Sequence, residues 1–589
     1  MNKSIVAMDI ECYTNYFLVL FKSQNGKMFS VTMLNDKTDN DINIIHTILK
    51  RHLIVTFNGN NYDLWILAAF LKGANNAELK ALSDAIITEN LLPWELSKRF
   101  PNIVKPQCDH IDLVGCTPLQ ASLKTYGCRI HSPKLQDLPI APDAIITESD
   151  AASLYTYCIN DVDVTLQIFD TMLLDIQLRT QMGPNYNADF RSLSGPQIAE
   201  RVLKAELNNV GVFPERRKGT VKPFKYNKPD YIRFTDTALN TALQATVYAT
   251  FEVSPSGKVN LPDALKKVIN FAGAKYKMGI GGLHSQEKKQ AIVPKDDEIL
   301  GEFDVASMYP SLISNLGMYP KHVGPEFLDV YRTMIDERLT AKRSGDKHTS
   351  NALKLVLNSS YGKFGSMYSW LYSPELLVQT TVTGQLCLLM LIEQMTTAGF
   401  TVVSANTDGI NVLLKKAEFD KAQAIANNFK ASTGLELEWT PYAAVYSESV
   451  NSYIAFKNEG GYKTKGTYDM GAINKGYANQ ICVEAVIAYL SNNIPIDKTI
   501  MAETDVRKFL TMRGVKGGGV WRGQELGKVV RWYKATNGES ILYKTNGNKV
   551  ATSDYAHPMM NLTNEIPNNL NKQWYVEEAQ KMLKKLGVN

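Results

Sequence analysis

The sequence predicts a protein of several domains that combines α/β and α+β architecture, and three observations lead there. With 589 residues, the chain is longer than one hydrophobic core supports. Up to about residue 180, short β-branched runs alternate with longer helical patterns, as in an α/β domain. Beyond about residue 300, strand and helix patterns mix, which is typical of α+β domains.

The elements of the first region follow from their periodicity. SIVAMDI (4–10) and LIVTFN (53–58) have the β-branched, apolar composition of strands. DLWILAAFLKG (63–73) and the long stretch at 152–176 have the length and spacing of helices. The polar stretch QMGPNYNADF (181–190) is expected to close this domain, before a basic, proline-rich loop.

Beyond about residue 400, turn residues indicate where strands begin and end. VVSANTDGINV (402–412) contains two strand-like runs around Asn406, Asp408 and Gly409, residue types that a tight hairpin selects for positive φ angles. Two Asn-Gly turns are predicted, in TNGE (536–539) and TNGN (545–548). KVVRWYK (528–534) has the pattern of an amphipathic strand, and 572–587 that of a closing helix.

Composition excludes several classes of protein. The longest apolar run, LCLLMLI (386–392), is too short to span a bilayer, and the N-terminus lacks the pattern of a signal peptide, so a cytosolic protein is expected. Seven cysteines without CxxC spacing indicate neither a zinc ribbon nor a disulfide framework. The net charge of +5 permits a polyanionic partner but is equally common in other enzymes.

Acidic residues of the first region form a pattern. Asp9 and Glu11 are two apart on a strand, so both carboxylates project from one face and invite a cation; a solvated edge strand would look the same. Asp63 falls near a helix start, where Asp is also ordinary. Tyr157 and Asp161 are one helical turn apart on a single surface.

The order DxE, N…YD and YxxxD resembles the three exonuclease motifs of proofreading DNA polymerases. The resemblance implies that Asp9, Glu11, Asp63 and Asp161 bind two divalent metal ions and that Tyr157 orients the attacking water. Such a cluster needs hard cations, Mg²⁺ or Mn²⁺, because the carboxylates otherwise repel one another. Asn58 and Tyr62 are expected to hold the terminal nucleotide, the tyrosine by stacking.

A second set of motifs begins with EILGEFDVASMYPSLI (298–313), which resembles DxxSLYPS, the first catalytic motif of family B DNA polymerases. The resemblance implies that Asp304 and the Val305 carbonyl bind metal. It also implies that the Tyr309 ring lies under the incoming sugar and excludes a 2′-hydroxyl.

NALKLVLNSSYGKFG (351–365) resembles the second motif, KxxxNSxYG, which includes Gly362. Lys354, Asn358 and Tyr361 follow one helical face, opposite the apolar face, and suit a triphosphate and a base. On the expected partner helix, Arg338 and Lys342 are one turn apart and match the family's further contacts with the triphosphate.

The hairpin at 402–412 lies where the family's third motif, YxDTDS, is expected. By itself its composition favours a turn, but in this context Asp408 is predicted to be the second metal-binding carboxylate beside Asp304. Two positions depart from the motif: Asn406 replaces the first aspartate and Gly409 the serine. Activity is expected to survive, because the later aspartate is the family's essential ligand.

Two further segments resemble the family. VNSYIAFK and YKTKGTY are similar to the segment that grips the primer end, with Tyr453, Lys463 and Lys465 as the expected contacts and Asn451 where the family has lysine. MGIGGLHS (278–285) is similar to the linker motif YxGG of small protein-primed phage polymerases, with Gly279 in place of tyrosine. For KVVRWYK (528–534), a contact with the template strand is the alternative to an ordinary amphipathic strand.

Because Asp9 stands so near the first residue, a compact, phage-type polymerase is expected, and the overall resemblance, including MGIGGLHS, is to the protein-primed phage enzymes. The spacing between motifs is too short for the long insertions of those enzymes, so extension of an ordinary nucleic-acid primer is expected. The implied domains are an RNase H-like 3′–5′ exonuclease and a right-hand polymerase. They are placed at 1–185 (exonuclease), 186–320 and 367–478 (palm), 321–366 (fingers) and 479–589 (thumb and C-terminal region).

The expected activity is DNA-directed DNA synthesis with 3′–5′ proofreading, with two Mg²⁺ or Mn²⁺ ions at each active site. Expected partners are primer–template DNA, deoxynucleoside triphosphates and a single-stranded-DNA-binding or processivity protein; a monomer without membrane contact is predicted, in the host cytoplasm if the protein is viral. Two alternatives stay open: a protein-primed replicase, and a catalytically decayed DNA-binding factor, for which Asn406 is the only hint.

Overall fold

The computed structural model describes residues 3–471 and 473–588, which form two compact units. Unit 1 comprises Met1–Ser194, Met470–Ala485 and Pro495–Glu577; unit 2 comprises Gly195–Asp469, Val486–Ile494 and Glu578–Asn589. Both units contain helices and strands, so the predicted mixed α/β, multidomain class is confirmed.

The first segment of unit 1 contains six strands and eight helices. The strands are β1 (Ile5–Tyr13), β2 (Tyr16–Ser23), β3 (Met28–Leu34), β4 (Lys37–Thr38), β5 (Leu53–Thr56) and β6 (Asp109–Asp112). The helices are α1 (Asn43–Arg51), α2 (Asp63–Leu71), α3 (Asn76–Ile87), α4 (Pro93–Arg99), α5 (Leu113–Cys116), α6 (Leu123–Arg129), α7 (Glu148–Thr171) and α8 (Leu173–Met182).

These strands form one mixed sheet in the order β4-β3-β2-β1-β5-β6. Strand β1 is central because it pairs antiparallel with β2 and parallel with β5. On one face of the sheet, Met8 and Ile10 pack with α2 and α3 in a shared core; on the other, Ala7 packs with α7. The side chains of Asp9 and Glu11 therefore project toward the face covered by α7.

Helix α7 starts at a capping box in which Thr147 and Asp150 satisfy each other's backbone N–H groups. The sequence predicts one helix through 152–176, and this was wrong at its end. The helix stops at Thr171, and α8 starts at Leu173 after a one-residue break at Met172, where ψ is 7° rather than helical.

The middle of the chain contains thirteen strands and seven helices. The strands are β7 (Phe224–Lys225), β8 (Thr250–Val253), β9 (Val259–Asn260), β10 (Ile269–Phe271), β11 (Ala274–Lys277), β12 (His284–Ser285), β13 (Gln290–Ile292), β14 (Glu298–Val305), β15 (Thr401–Asn406), β16 (Gly409–Lys415), β17 (Leu437–Ser449), β18 (Ser452–Lys457) and β19 (Tyr462–Lys465). The helices are α9 (Gly195–Asn209), α10 (Thr237–Tyr248), α11 (Met308–Asn315), α12 (Glu326–Ser344), α13 (Lys347–Ser360), α14 (Pro374–Thr397) and α15 (Phe419–Thr433).

A 10-stranded sheet organises unit 2, in the order β10-β11-β12-β15-β16-β14-β17-β18-β19, with β13 paired to β17. The predicted hairpin at 402–412 is confirmed as β15 and β16, and β14 pairs antiparallel with β16 from Glu298 to Asp304. This pairing brings the ends of β14 and of the hairpin together. Helices α14 and α15 cover the sheet with a large apolar core.

Helix α14 is the one described helix that is long and apolar enough, by composition, to cross a membrane. Its most apolar window has a mean hydropathy of 1.5, and 83% of that window is buried within the protein. The helix packs against β15 and α11 in the core of unit 2, which is the position of a core helix in a globular protein.

The last part of the chain contains α16 (Gln480–Asn492), α17 (Ile496–Ala502), β20 (Thr511–Trp521), β21 (Gln524–Glu539), β22 (Leu542–Tyr543), β23 (Ala556–Pro558) and α18 (Lys572–Lys585). The closing helix is thus confirmed, and so is the turn at TNGN, where Gly547 has a φ of 70°. Strands β20 to β23 form a 4-stranded sheet.

Two predictions for this part were wrong. TNGE is not a turn: Asn537 and Gly538 lie within β21 at an irregularity, and a Cβ on Gly538 would stand 2.1 Å from the Tyr555 carbonyl oxygen. KVVRWYK is not amphipathic, because Arg531 through Lys534 are all buried. The Arg531 guanidinium donates to backbone carbonyls, including those of Met559 and Ser132, and so serves the interior of unit 1.

Candidate active sites

Unit 1 gathers four acids into what is called here the four-acid cluster: Asp9, Glu11, Asp63 and Asp161. Strand β1 supplies the first two, the start of α2 supplies Asp63, and α7 supplies Asp161. Asp63 and Asp161 are buried, with 4% and 7% of their surface exposed. The sequence pattern therefore converges on a single place in the structure.

Carboxylate oxygens of Asp9, Glu11 and Asp161 lie within 4.8 Å of one another. Within the described ranges, no other trio of His, Cys, Asp or Glu side chains brings ligand atoms as close. Burial and the neighbouring acids raise the pKa of Asp9 and of Glu11 well above the usual range. Burial raises the pKa of Asp63 to about 7 and that of Asp161 to about 6.

Tyr157 lies at the cluster, as the spacing on α7 predicted. Its hydroxyl is hydrogen-bonded to Asp161 and lowers the pKa of that carboxyl, against the effect of burial. The Lys124 ammonium stands 4.9 Å from the centre of the Tyr157 ring and lowers the pKa of both Glu11 and Asp161. The Cys158 thiol, on the same helix, donates to Asp9 over 3.4 Å.

The loop after β5 is shaped by Asp112, a buried residue at the end of β6. Its carboxylate accepts the N–H groups of Asn58 at 2.8 Å and Asn60 at 2.9 Å. Asn58 has a φ of 75°, a left-handed conformation that Asn tolerates. Gly59 is required, because a Cβ there would stand 2.2 Å from the Thr56 hydroxyl oxygen.

The two residues predicted to hold a terminal nucleotide differ in surroundings. The Asn58 side chain is exposed and accepts a hydrogen bond from Asn61 at 2.8 Å. Tyr62 is half-buried, and its hydroxyl lies 2.9 Å from the Ser83 hydroxyl, so the orientation of its ring is fixed.

Unit 2 holds the second candidate site, called here the two-acid site, formed by Asp304 and Asp408. Asp304 pairs with Gly409 across β14 and β16, and the Val305 N–H donates to the Asp408 carbonyl at 2.8 Å. Burial raises the pKa of Asp304 to about 7, with Asp408 and Glu302 adding to the shift. The pKa of Asp408 is also raised, by burial first and then by Glu302.

The turn that carries Asp408 departs from the expectation. Thr407 is the residue with a positive φ, 57°, and not Asn406, Asp408 or Gly409. The Asp408 N–H donates to the Asn406 carbonyl at 2.6 Å, closing a three-residue turn. A β-branched residue in this conformation is strained, and such strain persists where the surroundings enforce it.

The two departures from the motif have structural roles. Asn406 donates its amide to the Val450 carbonyl at 3.1 Å and to the Asn451 side chain at 3.4 Å, which an aspartate could not do. A Cβ on Gly409 would stand 2.9 Å from an Asp304 carboxylate oxygen. Glycine at this position therefore leaves room for Asp304.

Four predicted cations lie on elements around the two-acid site. Arg338 on α12 donates to the Ser307 hydroxyl at 2.6 Å, just beyond β14. Lys342 stands 3.4 Å from Glu438, the residue that pairs with Asp304 across β14 and β17. Lys463 and Lys465 on β19 both lower the pKa of Asp408.

The predicted nucleotide contacts on α13 and after it lie on one side of the element. Lys354 and Asn358 are exposed, while Leu353, Val356 and Leu357 are buried, so the predicted amphipathic helix is confirmed. Gly362 is exposed as well, in the short 3₁₀ helix that begins at Tyr361.

Tyr309 and Tyr361 stack face to face, with ring centroids 4.3 Å apart and an interplanar angle of 14°. The Tyr309 hydroxyl donates to the Gly281 carbonyl, inside the MGIGGLHS segment. Burial raises the pKa of Tyr309 to about 12, and Asp408 adds to the shift. Tyr453 is half-buried on β18, where a hydrogen bond from Lys463 lowers its pKa against the effect of burial.

Sequence reasoning missed Lys124, Asp112, Cys158 and Glu302. Cys158 and Glu302 lie inside motifs whose other residues were the predicted ligands, and Lys124 and Asp112 lie outside the motifs. Each of the four acts through a contact between residues distant in the chain. A strand-end aspartate followed by a short helix was the one available signal for Asp112, which also caps α5.

Both sites suit divalent cations on the chemistry of their donors. The carboxylates are partly or fully buried, and in each site neighbouring acids raise carboxyl pKa values, so a hard cation would relieve their repulsion. In the four-acid cluster, the three close oxygens form an oxygen-rich donor set of the kind Mg²⁺ and Mn²⁺ take.

Comparison with known proteins gives limited similarity. No protein-family model matches the chain. One stretch is 28% identical over 145 residues to DNA polymerase II of Escherichia coli (strain K12), covering 20% of this chain and 18% of that protein. A solved family B DNA polymerase from the hyperthermophilic archaeon Pyrobaculum calidifontis aligns with a TM-score of 0.42 and 14% identity, over 100% of this chain and 78% of that one. The sequence is thus similar to a DNA polymerase over a fifth of its length.

Proposed function

We propose that the chain is a family B DNA-directed DNA polymerase with a 3′–5′ proofreading exonuclease. One observation carries the proposal: each unit holds its own set of enclosed acids, the four-acid cluster in unit 1 and the two-acid site in unit 2. The partial sequence similarity to a DNA polymerase supports it. The polymerase reaction is assigned to the two-acid site and the exonuclease reaction to the four-acid cluster.

At the two-acid site, Asp304 and Asp408 with the Val305 carbonyl would hold divalent cations. These ions, when bound, acidify the attacking hydroxyl and neutralise charge on the phosphates. Arg338, oriented by Ser307, and Lys354, exposed on α13, bind the triphosphate of the incoming nucleotide.

The sugar of that nucleotide meets the Tyr309 ring. Stacking on Tyr361 fixes one side of the ring, and the bond to the Gly281 carbonyl fixes its hydroxyl. A ring held at two points cannot move aside for a 2′-hydroxyl, so the site selects deoxyribonucleotides. Asn358 and Gly362 complete the exposed surface on which the base rests.

At the four-acid cluster, Asp9, Glu11, Asp63 and Asp161 would hold the divalent cations of a phosphodiester hydrolysis. Tyr157 stays protonated, because burial and Asp161 raise its pKa, so its hydroxyl can orient a water molecule. The rigid loop at Asn58 and the fixed ring of Tyr62 receive the 3′-terminal nucleotide.

A labelled primer–template with Mg²⁺ tests the proposal. With nucleotides present, Asp304→Ala should extend the primer at least about 10³-fold more slowly than the wild type, whereas Asp9→Ala should extend it normally. Without nucleotides, Asp304→Ala should degrade the primer normally, whereas Asp9→Ala should lose degradation. Matched controls are Asp297→Ala, an exposed acid paired with Lys415, and Asp163→Ala, paired with Lys22. If either site variant loses both activities, the assignment of two independent sites is wrong.

We further propose a compact, phage-type enzyme that acts in the cytoplasm as a monomer, extends a nucleic-acid primer, and depends on a single-stranded-DNA-binding or processivity protein for long products. The short spacing between its motifs supports extension of a nucleic-acid primer. Priming is tested with a DNA primer and with a protein hydroxyl as alternative starts. Efficient initiation on the protein hydroxyl would identify a protein-primed replicase, and absence of both would identify a decayed DNA-binding factor.

A further inference from the structure

Glu302 is a third acid beside the two-acid site, and the proposed function gives it no role. It stands two residues before Asp304 on β14, so the two side chains share one face of the sheet. Only 15% of its side chain is exposed. Its charge raises the pKa of both Asp304 and Asp408 and is thus unfavourable for the site taken alone.

The Glu302 carboxylate is occupied by two partners. The Tyr442 hydroxyl donates to it at 2.6 Å, and the Lys463 ammonium contacts its two oxygens at 2.9 and 3.2 Å. These are charge-assisted hydrogen bonds of good length. The Glu302 carboxylate therefore positions Lys463 and does not act as a third metal ligand beside Asp304 and Asp408.

Lys463 reaches Glu302 from a distant strand. It pairs with Ala455 on β18, which in turn pairs with Val445 on β17, the neighbour of β14. The contact thus spans two intervening strands and ties β19 to the strand that carries Asp304. A free lysine side chain would lose much conformational entropy to stay in this position, and two bonds to one carboxylate maintain it.

The ammonium so held acts on both acids. Lys463 lowers the pKa of Asp304 and of Asp408, opposing the effect of Glu302. Burial lowers the pKa of Lys463 itself, but Glu302, Tyr453 and Asp304 together raise it above its usual value, so the charge persists at neutral pH. With 44% of its side chain exposed, Lys463 can be reached from solvent.

We propose that Glu302 and Tyr442 are positioning residues that fix the Lys463 ammonium beside Asp304 and Asp408, where it binds the terminal phosphodiester of the primer. This inference rests on the proposed polymerase function and deepens it. The three donors of the ammonium serve Glu302 and Tyr453 in the free protein, and a primer phosphate oxygen would take the place of the Tyr453 contact. Fixing the cation before the primer arrives lowers the entropic cost of binding.

A double-mutant cycle tests the inference in the full chain. Lys463→Ala should raise the KM for primer–template about tenfold, and Glu302→Gln on the order of fivefold, each leaving kcat within about twofold. In the Lys463→Ala background, Glu302→Gln should have no additional effect, because its role is lost with its partner. Tyr442→Phe, which keeps the ring, should give a smaller KM increase that is likewise absent without Lys463.

The matched control is Glu298→Gln, on the same strand, whose acid pairs with Lys415 at 3.1 Å. It should leave KM unchanged. The thermal denaturation midpoint of each variant reports that it is folded, because the substituted residues lie in unit 2 and the four-acid cluster lies in unit 1. If the effects of Glu302→Gln and Lys463→Ala multiply, or if Glu302→Gln leaves KM unchanged, the inference is wrong. If the wild type extends no primer, the polymerase proposal itself fails.

Discussion

The two candidate sites differ in how many acids and how many cations they bring together. The four-acid cluster brings three carboxylates within 4.8 Å and has Lys124 as its nearby cation. The two-acid site has fewer acids at its centre, and Lys463 and Lys465 both act on Asp408. This difference matches the proposed substrates: a diester backbone approaches the first site, whereas a triphosphate and a primer end enter the second. Lysine side chains stand at the site whose proposed substrate carries more negative charge, and they offset that charge.

Metal binding in the absence of DNA should show the largest difference between the sites. Because its oxygens are already close, the four-acid cluster should bind Mn²⁺ without substrate, whereas the two-acid site should need the triphosphate. Mn²⁺ binding is measured by titration followed by electron paramagnetic resonance. In Asp161→Asn, the affinity of the tightest Mn²⁺ site should fall at least about 100-fold. Asp408→Asn should leave this binding unchanged; equal losses in both variants would remove the contrast.

Removing Lys124, the cation beside the four-acid cluster, should have the next largest effect. Lys124 lowers the pKa of Glu11 and Asp161, so Lys124→Met should raise both pKa values and move the exonuclease pH profile to higher pH. Degradation at neutral pH should fall about tenfold, and extension should not change. The control is Lys22→Met, whose ammonium pairs with Asp163 on α7. An unshifted pH profile would show that Lys124 serves only packing.

In the absence of metal ions, the acids of both sites should lower the free energy of unfolding of the protein. A folded-state carboxyl pKa near 7, against 3.8 when unfolded, means that the folded protein holds extra protons between these values, so the free energy of unfolding falls as pH rises through this window. At about pH 8 in chelator, Asp304→Asn should stabilise by about 1 to 2 kcal/mol after solvent screening, and at about pH 4 by little. Asp9→Asn should stabilise more, since Asp9 is more enclosed by acids. Thermal denaturation at both pH values measures this.

Gly409 offers the smallest and most local test. A Cβ there would crowd the Asp304 carboxylate from 2.9 Å, so Gly409→Ala should displace that side chain. We expect kcat for extension to fall about threefold, with the exonuclease rate unchanged. The control is Gly399→Ala, at a turn of the same unit where nothing lies within 4 Å of the added atom; it should affect stability but not kcat. Unchanged extension in Gly409→Ala would show that Asp304 has room to spare.

Several local features were predictable because they depend on periodicity. The two-residue spacing of Asp9 and Glu11 placed both on one sheet face, and the four-residue spacing of Lys354 and Asn358 placed them on the exposed face of α13. The turn at Asp408 was predicted in position but not in conformation, because the left-handed residue is Thr407, whose own propensity disfavours it. The contacts around the site, not the residue type, enforce that turn.

The sequence alone determined on which kind of element each candidate acid lies, since alternation along strands and helical spacing are properties of neighbouring residues. Only the tertiary structure decided the support of those acids: Asp112 on the loop at Asn58, and Glu302 joined to Lys463 across two strands. The physical reason is that hydrogen bonds and Coulomb forces act over a few ångströms of space. Pairing of distant strands creates that proximity, and no local pattern in the chain records it.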